Sequence, residues 1–280
     1  MAIFPTIKLF SQGPYVKILQ MNLYGINYNY NGIKINGIFD LLTDEVLRDF
    51  QAENKLIPDG IVGSVTWNVL LGKVIRIQNK LNSLNFNTGI ADGLFGPKTT
   101  NAVKSFQSAN GLQIDGVVNP RTRQQLFNPN PKDNYSTRLS SISLSALNPY
   151  VAGLAKKFLD LCTFNNLNVR IIVTFRSWDE QDTLYAQGRT IPGSIVTDAK
   201  GGESYHNFGL AFDCAPVTNG LIDWDATDKF NKMGILGQQV GLEWGGNWIT
   251  FKINLVDTPH YQYTFGLSTE QLLDGVRPPQ

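Results

Sequence analysis

Two residue types that often organise small enzymes are scarce in this chain of 280 residues, which has two histidines and two cysteines, Cys162 and Cys214. Two thiols are too few for a disulfide framework; both are expected as buried free thiols, with a single bridge as the alternative. Excess charge is equally scarce: 24 Lys and Arg against 23 Asp and Glu leave a formal net charge of +1. No basic field therefore gathers nucleic acid. No apolar run reaches the roughly 18 residues needed to cross a bilayer, and no membrane partner is expected. The first 20 residues, interrupted by Pro5, Gly13 and Pro14, lack the apolar core of a signal peptide. The expectation is synthesis in the cytoplasm, with release by other means if the substrate lies outside the membrane.

What is present points to folded domains. A hydrophobic share of 42%, with 16 Phe, 10 Tyr and 5 Trp, is that of a globular protein, and the length suggests two domains. The first half contains one pattern twice. Asn36-Gly37-Ile38-Phe39, Phe50-Gln51 and Asp59-Gly60-Ile61-Val62 return 56 residues later as Asp92-Gly93-Leu94-Phe95, Phe106-Gln107 and Asp115-Gly116-Val117-Val118. Leu19-Gln20 and Leu23 likewise match Ile77-Gln78 and Leu81 at an offset of 58. Each copy reads as a small helical bundle, in which Asn-Gly or Asp-Gly turns separate apolar-periodic helices. Phe50, Phe106, Leu23 and Leu81 are expected in its core.

The second copy, from Asp92 through Ala102-Val103-Lys104-Ser105-Phe106-Gln107, resembles the peptidoglycan-binding domain attached to wall hydrolases. The first copy departs from that pattern, with Asn36 in place of Asp and Asp40 in place of the Gly after Phe39. The resemblance implies bacterial peptidoglycan as the partner. It places one repeat at 1–72 and the second at 73–128. Asn128-Pro129-Asn130-Pro131 and the Ser-rich stretch that follows read as a linker over 129–144, leaving 145–280 as the second domain.

That domain begins with a helix from about Asn148 to Leu167, followed by a β-branched strand from Val169 to Phe175. Further helices are predicted near Ser177 and from Asp225 towards Val240. The fold class is α+β: two all-α repeats, then an α+β domain. Both histidines lie here, each near a carboxylate: Ser204-Tyr205-His206-Asn207-Phe208-Gly209-Leu210-Ala211-Phe212-Asp213 and Asp257-Thr258-Pro259-His260. A catalytic zinc site takes three nitrogen or oxygen ligands and keeps a position for water, a requirement that two His and one Asp meet. His206 and Asp213, seven apart, would oppose one another on a straight strand, so Asn207 to Gly209 must turn the chain, with Gly209 as pivot.

Ser-x-His-x-x-Gly-x-Ala-x-Asp, followed by an acid three residues before a His, resembles the signature of the zinc D-alanyl-D-alanine carboxypeptidase and L-alanyl-D-glutamate endopeptidase family. The resemblance implies a mainly antiparallel sheet, zinc ligands at His206, Asp213 and His260, and a general base at Asp257. Phe175-Arg176-Ser177, Leu184-Tyr185-Ala186-Gln187-Gly188-Arg189-Thr190 and Leu242-Glu243-Trp244-Gly245-Gly246-Asn247-Trp248 are similar to the endopeptidases of phage endolysins. They are also similar to some bacterial wall hydrolases, and the resemblance implies cleavage of the wall's stem peptide between L-Ala and D-Glu. Because no export signal is read, the enzyme is expected to serve phage lysis, and a monomer is expected. A carboxypeptidase on the same scaffold and a wall-binding protein with a structural metal remain the alternatives.

Arg176 is expected as a catalytic residue, stabilising an oxyanion or holding a substrate carboxylate, and the resemblance favours the former. Trp244 and Trp248 are candidates for the cleft wall or for the core. Arg189 and Ser204 are candidate substrate contacts. Cys214, adjacent to Asp213 in a strand, is expected to face away from the metal. The stretch 249–256 is longer than is usual for the family.

Overall fold

The computed structural model describes residues 4–28, 32–129, 135–248 and 256–279. Part of the Pro-rich segment, 130–134, and most of the long stretch before Asp257, 249–255, lie outside the described residues. The chain forms two compact units, Met1–Asn130 and Pro131–Gln280.

Among the described residues, five helices build the first unit: α1 (Pro14–Gly25), α2 (Leu41–Glu53), α3 (Ser64–Ser83), α4 (Pro97–Ala109) and α5 (Pro120–Phe127). Their starts follow from local chemistry. Proline opens α1, α4 and α5, where no intrahelical donor is needed. Asp40 caps α2 by accepting from Thr43 N at 2.8 Å, and Asn119 caps α5 by accepting from Thr122 N at 2.9 Å. Helix α3 crosses the boundary expected after residue 72. Its buried Trp67, Leu70, Val74, Ile77 and Leu81 recur at three- and four-residue spacing and form one continuous apolar face. Gly72 costs roughly 1 kcal/mol of helix propensity, too little to break a helix buried at both ends. Thus α3 closes the first repeat and opens the second, and a single core runs from Ile7 to Leu126.

Four buried glutamines fasten the turns. Gln20, Gln51, Gln78 and Gln107 each accept, through Oε1, from the N–H of a turn glycine: Gly37, Gly60, Gly93 and Gly116, at 2.8–3.0 Å. Through Nε2 each donates to the side chain of the preceding Asn or Asp and to the carbonyl after the glycine. The four glycines have φ of 71–81°, the left-handed region in which a side chain is unfavourable. Asn22 joins the two copies by donating to Gly93 O at 2.9 Å and accepting from Phe95 N at 2.8 Å.

The second unit is α+β, as the sequence indicates. It contains α6 (Pro149–Phe164), β1 (Val169–Val173), α7 (Trp178–Ala186), β2 (Ala211–Thr218), β3 (Leu221–Ile222), α8 (Thr227–Gln239), β4 (Glu243–Trp244), β5 (His260–Gln262) and α9 (Thr269–Leu273). The sheet runs β1-β2-β5-β4, with β3 also paired to β2, and every described pairing is antiparallel. Phe158 and Cys162 of α6 and Met233 of α8 pack with Phe212, Cys214 and Tyr261 of the sheet. The alternation of strand side chains then sends Asp213 and His260 to the opposite face. Cys162 and Cys214 are both free and buried, and burial pushes the Cys162 thiol up to about 12 and raises Cys214 as well. Neither is poised as a thiolate ligand.

From Tyr135 onward, the segment read as linker belongs to this unit. Tyr135 stacks with Phe175 and meets Phe208 edge-on, Arg138 lies over the Phe175 ring at 4.2 Å, and Ser141 pairs with Phe175. The serines that suggested a flexible tether instead supply hydrogen bonds: Ser141 O accepts from Thr174 N at 2.9 Å and from Thr174 Oγ1 at 2.8 Å.

Candidate metal and peptidase site

Three local devices bring the site together. The first is the turn after His206: residues Tyr205–Phe208 form a 3₁₀ turn capped by Ser204 and Asn207. Gly209 then adopts φ 67°, and a Cβ there would stand 2.9 Å from Ala146 O. Only glycine satisfies both the conformation and the close approach. The second is strand register, because Asp213 of β2 lies directly opposite His260 of β5. The third is the irregularity between Ile171 and Val173, after which Val173 faces Asp213 and the chain delivers Thr174 O and Arg176 beside it.

Together these place His206 Nε2, Asp213 Oδ1 and His260 Nδ1 at one point. The separations are 3.1 Å from His206 to Asp213, 3.1 Å from His206 to His260, and 3.4 Å from His260 to Asp213. Ligand atoms on a tetrahedral zinc, with bonds of about 2.0–2.2 Å, stand roughly 3.3 Å apart, so the three donors fit three corners of such a site. They are the cluster of metal-ligand type found among the described residues. Both rings are held from behind: His206 Nδ1 meets Thr174 O at 3.1 Å, and His260 Nε2 meets Gln262 Oε1 at 3.0 Å. Since a carbonyl only accepts, His206 carries its proton on Nδ1 and presents a bare Nε2 to the centre.

The electrostatics suit a cation. Burial lowers the His206 imidazole, only partly opposed by Asp213. Burial alone would raise the Asp213 carboxyl, but the charges and hydrogen bonds of His206 and His260 outweigh it and hold it well below the usual carboxylate range. Burial also works against a charged His260, yet the hydrogen bond and charge of Asp213, aided by Asp257, leave that imidazole raised. A positive charge between these atoms is therefore favoured.

Asp257 stands at the edge of the cluster, with Oδ2 3.9 Å from His260 Nδ1 and the side chain 45% exposed. Burial of its inner part raises its carboxyl, despite the opposing His260 charge. Arg176 is engaged inward, with Nη2 donating to Asp213 Oδ2 at 2.9 Å and Nη1 to Gln181 Oε1 at 3.0 Å. It is thus placed against the proposed ligand Asp213, while its Nε is buried without a hydrogen-bond partner. Trp248 packs its ring on His260 with centroids 4.8 Å apart, while Trp244 is buried and donates to Thr258 O at 2.8 Å.

Arg189 is tied to Asp198 at 2.6 Å and to the carbonyls of Tyr185 and Thr197, an arrangement that braces a loop. Ser204 caps the turn that carries His206. Three supports carried no assigned role in the sequence: Thr174, Gln181, which stands in the Glu180-Gln181 pair of the family resemblance, and Gln262. The signal for Gln262 was present in His260-Tyr261-Gln262-Tyr263-Thr264, where polar residues alternate with tyrosines and so share one strand face.

Both halves of the chain match known protein families. Residues 12–70 and 72–126 match the peptidoglycan binding domain, and 144–267 match the D-alanyl-D-alanine carboxypeptidase profile. The chain is 42% identical over 127 residues to the peptidoglycan L-alanyl-D-glutamate endopeptidase CwlK of Bacillus subtilis, covering 42% of this chain and 74% of that protein. It is 31% identical over 144 residues to the L-alanyl-D-glutamate peptidase of Listeria phage A118, covering 50% of this chain and 46% of that protein. A solved structure, the Serratia marcescens L-Ala D-Glu endopeptidase ChiX, aligns with 48% of this chain and 95% of its own at 23% identity and a TM-score of 0.34. The chain belongs to the family of the Bacillus subtilis peptidoglycan L-alanyl-D-glutamate endopeptidase, here carrying two peptidoglycan-binding repeats ahead of the peptidase unit.

Proposed function

We propose that this protein is a zinc-dependent peptidoglycan hydrolase of the endolysin type, cleaving the wall's stem peptide between L-alanine and D-glutamate. The observation that carries the proposal is the convergence of His206 Nε2, Asp213 Oδ1 and His260 Nδ1 within 3.1–3.4 Å, with a half-exposed carboxylate at its rim. Zinc held there would polarise the scissile carbonyl and lower the pKa of a water molecule towards 7. Asp257 takes the proton of the attacking water and returns it to the leaving amine nitrogen, a dual task suited to a carboxyl raised by burial. Arg176 holds Asp213 through Oδ2 so that Oδ1 faces the metal, and its guanidinium adds positive charge where the oxyanion develops. Trp248, packed against His260 with the rings tilted, walls the cleft.

The choice of bond rests on the two L-alanyl-D-glutamate relatives; the phage relative supports a role in lysis. The carboxypeptidase profile over 144–267 favours a second reading, removal of terminal D-alanine. Digestion of purified wall, with the new termini identified by mass spectrometry, separates the two. Free D-glutamyl amino groups are the expected result, and release of single D-alanine would replace the proposal with the carboxypeptidase. The same preparation should contain about one zinc per chain and lose activity on chelation; bound metal without any cleavage would leave a wall-binding protein.

A further inference from the structure

Strand β5 carries a polar relay that the peptidase reading does not use. His260 Nε2 meets Gln262 Oε1 at 3.0 Å, Gln262 Nε2 donates to Glu243 Oε2 at 2.8 Å, and Thr264 Oγ1 donates to Glu243 Oε1 at 3.5 Å. Register explains the link, since Glu243 of β4 is the cross-strand partner of Gln262. His260 and Gln262 are buried at 5% and 6% exposure, whereas Glu243 lies on the surface.

The relay has a direction. A carboxylate only accepts, so Glu243 requires the amide nitrogen of Gln262 to face it. The amide oxygen must then face His260, where it accepts, and His260 must carry its proton on Nε2. Nδ1 is left with its lone pair towards His206 Nε2 and Asp213 Oδ1. His206 is fixed in the opposite sense, by Thr174 O on Nδ1. The two histidines thus present unlike ring nitrogens to the centre, and each is selected by its partner behind.

We propose that Gln262, oriented by Glu243, is the positioning residue that selects Nδ1 of His260 as the metal-binding nitrogen. This inference rests on His260 being a zinc ligand. Loss of a partner behind a ligating histidine typically weakens metal affinity about 10–100-fold.

The test uses the full chain. Zinc affinity is measured by competition with a chromophoric chelator for wild type, Gln262→Leu, His260→Ala and the exchanged pair Glu243→Gln with Gln262→Glu. Gln262→Leu should bind about 10–100-fold more weakly. The exchanged pair, which restores an acceptor behind His260, should recover wild-type affinity to within a few-fold. In parallel, ¹⁵N shifts of the metal-free protein, at a pH where both rings are neutral, report which nitrogen is protonated, and the chain has two histidines to assign. Wild type should show the His260 proton on Nε2.

Glu243→Ala, a surface change that keeps the protein testable should Gln262→Leu not fold, should mix the two His260 tautomers. The inference is overturned if Gln262→Leu binds zinc like wild type, if the exchanged pair binds no better than Gln262→Leu, or if Glu243→Ala leaves the tautomer unchanged. Equal zinc affinity of wild type and His260→Ala would instead remove the zinc reading beneath it.

Discussion

Asp257 and His260 lie three residues apart and 3.9 Å from each other, yet their proposed duties differ, and substitution separates them. His260→Ala removes one of three protein ligands and should abolish zinc binding and hydrolysis together. Asp257→Asn is nearly isosteric and should keep zinc while lowering turnover of a soluble stem peptide roughly 10²–10⁴-fold. Zinc content and turnover measured on both proteins decide the matter. An Asp257→Asn protein that loses its metal would make Asp257 a ligand, and one that turns over normally would move the base elsewhere. Glu243, the other carboxylate near this segment, is occupied by Gln262 and Thr264 and so is poorly placed to inherit that task. At this scale the sequence was informative where residues are rare: two histidines with nearby carboxylates stand out. The roles of Thr174 and Gln181 did not, because Thr174 contributes its backbone carbonyl and Gln181 acts through Arg176, and neither role can be read from residue type.

Elements were legible where the apolar period was strong. Helices α6 and α8 lie close to their predicted positions, since buried residues at helical spacing define them, and β1 follows its β-branched run although its side chains are half-buried or exposed. The continuity of α3 was hidden because the repeat pattern invited a cut at Gly72. The four glutamines stood out as parts of the repeat, but their role as fasteners did not: from glutamine to turn residue the separations are 16, 8, 14 and 8, so no single period exposes the pairing. Their energetic weight can be measured at Gln107, which is fully buried. It binds Asp115, Val117 O, Thr122 and Gly116 N. Gln107→Leu leaves the Gly116 donor and Val117 acceptor unmatched, at about 1–3 kcal/mol each, and should lower the stability of the first unit by about 2–5 kcal/mol in denaturant unfolding. Gln113→Leu, on an exposed residue of the same turn region, should change it by less than about 0.5 kcal/mol. Similar values for the two variants would show that the fasteners are passive.

At the scale of the whole molecule, each unit has its own apolar core, one spanning Ile7 to Leu126 and the other Leu147 to Leu273. All the residues proposed for the site lie in the second. The chain's contacts divide at Asn130 and Pro131, which places the cut near the start of the segment 129–144 that the sequence presented as linker and leaves most of that segment with the second unit. The distinction has a functional consequence, because Ser141 O holds Thr174 and Thr174 O holds His206. A fragment of residues 131–280 should fold, bind zinc and cleave soluble stem peptides at a rate within about twofold of the full chain, while a fragment starting at 145 should bind zinc more weakly. The longer fragment should nonetheless sediment poorly with intact walls, because the repeats act as a tether. Tethering raises local substrate concentration and strengthens wall retention by as much as about 10²–10⁴ without altering the chemistry. Sedimentation with purified walls and turnover of soluble peptide, measured on the same samples, test both halves of the expectation. Wall retention equal to that of the full chain would remove the tether role from residues 1–130, and equal zinc affinity of the two fragments would detach Ser141 from the support of His206.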